Sequence, residues 1–168
     1  MYRKTAINFI LILALLLLFG FYSTKACNAL EAENSEKIKN FIYSKEYSDK
    51  IKFYSKAIEK NPNNAPIYNA RGICYANLKE YKKAIADFNE VIRINPNHIE
   101  AYNNRGILHS GLKEYKKAIA DFNKAIEINP NDAKAYYNRG VCSKKLKEYK
   151  KAGADFNKAK KIDPNLLK

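Results

Sequence analysis

The chain is poor in the residues from which most active sites are built. Its 168 residues include only two histidines, three cysteines, six glycines and five prolines. His98 and His109 form no metal-ligand spacing with a cysteine or carboxylate, so neither a metal nor a cofactor is expected. The glycines never gather into a phosphate-cradling loop, and no nucleophile elbow is present. Catalysis finds no foothold here, and a non-enzymatic protein is expected. Low-complexity tracts are absent, and 46% hydrophobic with 29% charged residues is the composition of a folded domain.

Only one long apolar run occurs, residues 6–22, interrupted by Asn8. Arg3 and Lys4 precede it, and a short polar exit ending at Ala26 follows, which together make the three parts of an export signal. The run lies between the usual length of a cleaved signal and the ~20 residues of a comfortable membrane span. Residues 1–27 are therefore expected to be a signal peptide or an N-terminal membrane anchor. Cys27 directly after Ala26 adds a third fate, lipidation at Cys27, although Thr24 and Lys25 depart from the usual lipoprotein box. The positive start keeps the N-terminus cytoplasmic, so the rest is expected to be extracytoplasmic, secreted or membrane-anchored.

What the chain has in quantity is repetition. Residues 101–130 read AYNNRGILHSGLKEYKKAIADFNKAIEINP, and close copies lie one period before and after. Pro62, Pro96, Pro130 and Pro164 step by 34, as do Arg71, Arg105 and Arg139 with their following glycines. A fixed period of this size marks a stack of structural repeats. Within the first full unit, Tyr81, Ala84, Ile85, Phe88, Val91 and Ile92 follow the spacing of one helix face. Tyr68, Gly72 and Tyr75 mark an earlier helix, and a polar turn over residues 77–80 joins the two. Each unit is thus a helix–turn–helix whose apolar face needs a neighbour. Asp87, Asp121 and Asp155 follow the three arginines by 16 residues, a spacing that suits a carboxylate–guanidinium ladder between paired helices.

These residues resemble the tetratricopeptide repeat (TPR) family. Tyr68, Gly72, Ala84, Phe88 and Pro96 fit its pattern in the first unit, with Val91 at the last alanine place. Tyr102, Gly106, Ala118, Phe122, Ala125 and Pro130 fit it in the second, and Tyr136, Gly140, Ala152, Phe156, Ala159 and Pro164 in the third. Tyr75 becomes His109 and then Ser143, a departure expected to weaken packing of the first helix locally. The resemblance implies an all-α fold, an α-solenoid of helix–turn–helix units over residues 65–98, 99–132 and 133–166. Residues 28–64 are expected to be a degenerate capping repeat, with helices over about 35–44 and 45–62. In that repeat Ile38 replaces the glycine, Lys50 the alanine and Phe53 the aspartate. In the third unit, Gly153 and Lys160 replace isoleucines suited to packing on a following repeat, so the array is expected to end there.

The resemblance also implies a role, protein–protein interaction through a concave groove lined by the first helices. Carried over by position, its lining includes Asn69, Ile73, Asn103, Asn104, Ile107, Lys134, Tyr137, Asn138 and Val141. One subfamily clamps a peptide's terminal carboxylate with Lys and Asn in its first unit. Asn69 and Ile73 stand there instead, so that clamp is not expected, although Asn104 and Lys134 fit parts of it.

Charge supplies a competing expectation. Thirty-one Lys and Arg against seventeen Asp and Glu give a formal +14, enough to attract an anionic envelope polymer or lipid surface. The lysines recur in every unit, which favours solvated helix faces over one patch, and the export signal disfavours nucleic acid. Cys74 and Cys142 occupy equivalent places two units apart, too far to pair, and are expected to be buried.

Overall fold

The structure is a computed structural model and describes residues 24–166, with side chains from residue 32 onward. The expectations for residues 1–23, and for the Cys27 side chain, lie outside what it describes. Seven helices and no strand form the described residues: α1 (Thr24–Lys60), α2 (Ala65–Asn77), α3 (Tyr81–Ile94), α4 (Ile99–Gly111), α5 (Tyr115–Ile128), α6 (Ala133–Lys145) and α7 (Tyr149–Ile162). The chain divides into two compact units, Met1–Glu46 and Tyr47–Lys168.

Within the second unit the helices pair as antiparallel hairpins, α2 with α3, α4 with α5 and α6 with α7. The starts of the first helices are capped in register. Asn64, His98 and Asp132, 34 residues apart, accept hydrogen bonds from the backbone N–H of Ile67, Ala101 and Ala135. His98, an isolated residue in the sequence, is thus a helix cap. The first helices end in one repeated turn. Lys79, Lys113 and Lys147 take φ of 60°, 62° and 64°, and the N–H groups of Glu80, Glu114 and Glu148 reach back five residues. This Schellman-type ending satisfies orphan carbonyls and reverses the chain within three residues.

Glycine sets the spacing inside each hairpin. A Cβ at Gly72, Gly106 or Gly140 would lie 3.0, 2.8 or 2.9 Å from Cε1 of Phe88, Phe122 or Phe156. Each ring fills the space that a side chain would take. Gly106→Ala is expected to destabilise by about 1–3 kcal/mol through this clash. Gly153→Ala should act the other way, because nothing lies within 4 Å of its position and alanine favours helix by about 0.5–1 kcal/mol. Thermal denaturation of the two variants checks the opposite signs.

Neighbouring hairpins share a continuous core. Ala84, Phe88, Val91, Ala101 and Leu108 form one buried cluster, joined by Ile85 and Ile92. Ile119 packs against a cluster containing Phe122 and Cys142 of the next unit, and Ile126 against one containing Tyr102 and Ala135. The isoleucines of one second helix are thus the contact surface for the following unit. Cys74 and Cys142 are buried and not joined in a disulfide, and burial raises the pKa of Cys142 against the pull of its hydrogen bond to Ser110.

One expectation is corrected. Residues 28–64 do not form two helices, because Thr24–Lys60 is a single helix with no break at residues 43–46. The turn sequence Lys45-Glu46-Tyr47 is present, but closing a hairpin around it would set Ile38 where glycine admits a ring. It would also put Lys50 at the place of the fully buried Ala84, and Phe53 at that of the ladder aspartate. Burying a lysine at a place that holds a fully enclosed alanine is costly, so the helix continues. In the first unit Ile38, Phe41, Ile42 and Tyr43 are exposed, and Lys37 pairs with Glu33 at 2.7 Å.

Candidate peptide-binding surface

The arginine–aspartate ladder frames the site and exceeds what the sequence implied. Arg71 donates from Nε and Nη2 to both carboxylate oxygens of Asp87, at 2.9 and 2.7 Å. Arg105 holds Asp121 at 3.0 and 2.5 Å, and Arg139 holds Asp155 at 2.9 and 2.6 Å. The three aspartates are 4–6% exposed, so these forks are largely desolvated. The aspartate hydrogen bonds raise the pKa values of Arg71 and Arg139, with burial opposing. The arginines also stand over the rings of Tyr68, Tyr102 and Tyr136.

The third arginine nitrogen ties one unit to the last. Nη1 of Arg71, Arg105 and Arg139 donates to Ser55, Asn89 and Asn123, at 3.0, 2.6 and 2.7 Å. Each guanidinium therefore joins the second helix of its own hairpin to the helix that precedes that hairpin, α1, α3 or α5. Sequence reasoning did not find these acceptors, although asparagine recurs at 89, 123 and 157 with the period of the repeat. His109 likewise has a structural partner, with Nδ1 2.6 Å from Glu114 Oε2. Bonds from Lys117 and then His109 hold the Glu114 carboxyl below its ordinary pKa.

Of the positions carried over as groove lining, Ile73, Asn104 and Ile107 come together. With Ala76, Asn77, Phe88 and Leu108 they line a recess of about 200 Å³ between α2 and α4. Ile73 and Ile107 are 41% and 48% exposed, which decides against their being wholly consumed by packing between first helices. Val141 continues the rung and is half-buried. Asn69 and Asn103 are less available. The Asn103 amide donates to Asp132 at 2.6 Å, and Oδ1 of both asparagines is buried without a partner. In the third unit Lys134 is exposed and Asn138 is half-buried. Tyr137 leans on Phe156 with ring centroids 5.7 Å apart. Asn77 and Leu108 were not singled out from the sequence, because their placement at the recess depends on how α2 and α4 cross.

The expected even spread of lysines is also corrected. Residues 133–166 carry ten Lys and Arg against three Asp and Glu, whereas 99–132 carry five of each and 65–98 five against three. The surplus is gathered in the third unit. Among the described residues no group of His, Cys, Asp and Glu could hold a metal, and no helix is long and apolar enough to cross a membrane.

Stacked helical hairpins with an open apolar recess between successive first helices define a repeat protein of the interaction type. The tetratricopeptide repeat profile matches residues 65–98, 99–132 and 133–166, and the chain belongs to that family. Tetratricopeptide repeats are protein–protein interaction modules, and scaffolds of this kind are generally non-catalytic. A crystal structure of MamA is similar at 26% identity and a TM-score of 0.67, covering 70% of this chain and 68% of that one. A second MamA structure is covered over 66% of its length, so this chain spans about two thirds of these relatives. The Arabidopsis OM64 TPR domain is 30% identical with a TM-score of 0.58, covering 60% of this chain and 83% of that domain. The first TPR of Spaghetti (RPAP3), bound to the HSP90 peptide SRMEEVD, is 26% identical with a TM-score of 0.59, over 60% and 80%. No curated protein sequence matches significantly.

Proposed function

We propose that this chain is a non-catalytic module that holds an extended segment of another protein along its first helices, outside the cytoplasm. The observation that carries this reading is the exposed pair Ile73 and Ile107 around one recess, with the Asn104 amide on its rim. Two isoleucines one repeat apart accept apolar side chains of a ligand, while an asparagine amide can both donate to and accept from its backbone. The peptide-bound Spaghetti domain supports the mode of binding, since it shares the fold over most of its own length. The carboxylate clamp is not part of the proposal, because Asn69 and Ile73 replace its first-unit residues and the Asn69 acceptor is buried. The extracytoplasmic setting rests on residues 1–27, read as a signal or N-terminal anchor, with Cys27 as a lipidation site in the alternative. Secretion and membrane anchoring stay open between those fates.

Selection from a displayed peptide library tests the groove. Binders chosen by the native chain should weaken at least about tenfold with Ile107→Glu, equivalent to about 1.4 kcal/mol. Lys116→Glu, on an exposed position of α5, should leave them unchanged. Equal loss in the two variants would contradict the groove.

A further inference from the structure

The third unit carries a second surface, made of residues that the groove does not use. In the first two units, one outward place on the second helix holds an ion pair, Glu90 with Arg93 at 2.8 Å and Lys124 with Glu127 at 2.7 Å. In α7 both members of that pair become lysine, Lys158 and Lys161. Lys160 replaces the isoleucine that packs on a following unit, and by helical spacing Lys150 and Lys161 stand between it and Lys158 around the outward half of the helix. These lysines and Lys151 are exposed, while the only acid of α7, Asp155, is buried under Arg139. Lys145 at the end of α6 and Lys147 in the turn that follows extend the charge. Gly153 has open space around it, Ala154 is exposed, and Tyr149 is 64% exposed at the start of the helix.

We propose that the outward face of α7 docks on the headgroups of an anionic phospholipid bilayer. Fourteen helical residues extend about 21 Å, and small residues between the lysines let such a rod lie along a plane. Lysine is a flexible point charge suited to a diffuse negative surface, and Arg139, the unit's one arginine, is committed to Asp155 and Asn123. A nucleic-acid strand would call for several stacking aromatics, whereas this face offers one tyrosine. A tyrosine with an apolar body and a polar tip suits the headgroup layer. A second copy of the chain is disfavoured by its own +14. Clusters of four to eight basic residues on one face are the pattern by which helices recognise anionic lipid.

Acetylation footprinting of the full chain, read lysine by lysine, tests this whether or not the N-terminal segment is embedded. The chain is compared on vesicles of phosphatidylcholine alone and with a third phosphatidylglycerol. Lys150, Lys158, Lys160 and Lys161 should be modified at least about fivefold more slowly on the anionic vesicles, with the effect abolished by about 0.5 M salt. Lys82, Lys83 and Lys116 should be unaffected. The combined variant Lys150→Glu, Lys158→Glu and Lys161→Glu should lose protection at Lys160 while keeping its helical circular dichroism. Equal rates on both vesicles, or protection spread over all three units, would overturn the proposal. So would equal protection by a single-stranded oligonucleotide of matched charge, which would make the face a general polyanion site. Because Ile73, Asn104 and Ile107 take no part, peptide binding succeeds or fails separately.

Discussion

Asp121→Ala should lower stability by about 3 kcal/mol, among the largest losses from any single substitution in the repeats. The carboxylate is 5% exposed and receives two guanidinium bonds, so its removal leaves Arg105 largely buried and without its counter-charge. Arg105→Ala should cost a comparable amount, since it strands the buried aspartate and also releases Asn89 of the preceding unit. Because the pair acts as one object, the double variant should lose much less than the two single losses combined, with a coupling of at least about 1.5 kcal/mol. Urea unfolding of the four chains gives that number, and additive losses would mean that the ladder is incidental.

Phe122→Ala should cost about 3–5 kcal/mol, because it opens a cavity under Gly106 that the paired helix cannot fill. Phe122 is fully buried, with its ring against the glycine of α4 and Cys142 of the following unit in the same cluster. Phe156→Ala should cost measurably less, since Phe156 holds the same place but is only half-buried. Thermal unfolding of both variants measures the difference. Equal losses would argue that stacking of the next unit adds nothing to the core of the last.

The parts of this structure legible in the sequence are those that recur at a fixed step. The hairpins follow from Gly72, Gly106 and Gly140 paired with Phe88, Phe122 and Phe156, and the ladder from three arginines and three aspartates at one spacing. The inter-unit bonds to Ser55, Asn89 and Asn123 recur with the same period. A surface asparagine carries no mark of its partner until the stagger of neighbouring hairpins is known. The continuous helix Thr24–Lys60 was hidden by a familiar turn sequence, and the misfit of Ile38, Lys50 and Phe53 outweighs it. At the groove, Ile73 and Ile107 were legible as a rung, but the tie between Asn103 and Asp132 was not, because it joins α4 to the residue that caps α6. The basic third unit was obscured by the lysines of the recurring LKEYKK turn, and only a count unit by unit separates the two.

The central claim is that a polypeptide lies across the recess between α2 and α4. Its most direct test is a photo-crosslinking side chain placed at Ile107 and, in a second chain, at Lys116, with products mapped by mass spectrometry. The account predicts polypeptide crosslinks from position 107 that are competed by a selected peptide, and none so competed from position 116. Crosslinks of equal yield from both positions, or none from 107 in the presence of saturating peptide, would contradict it.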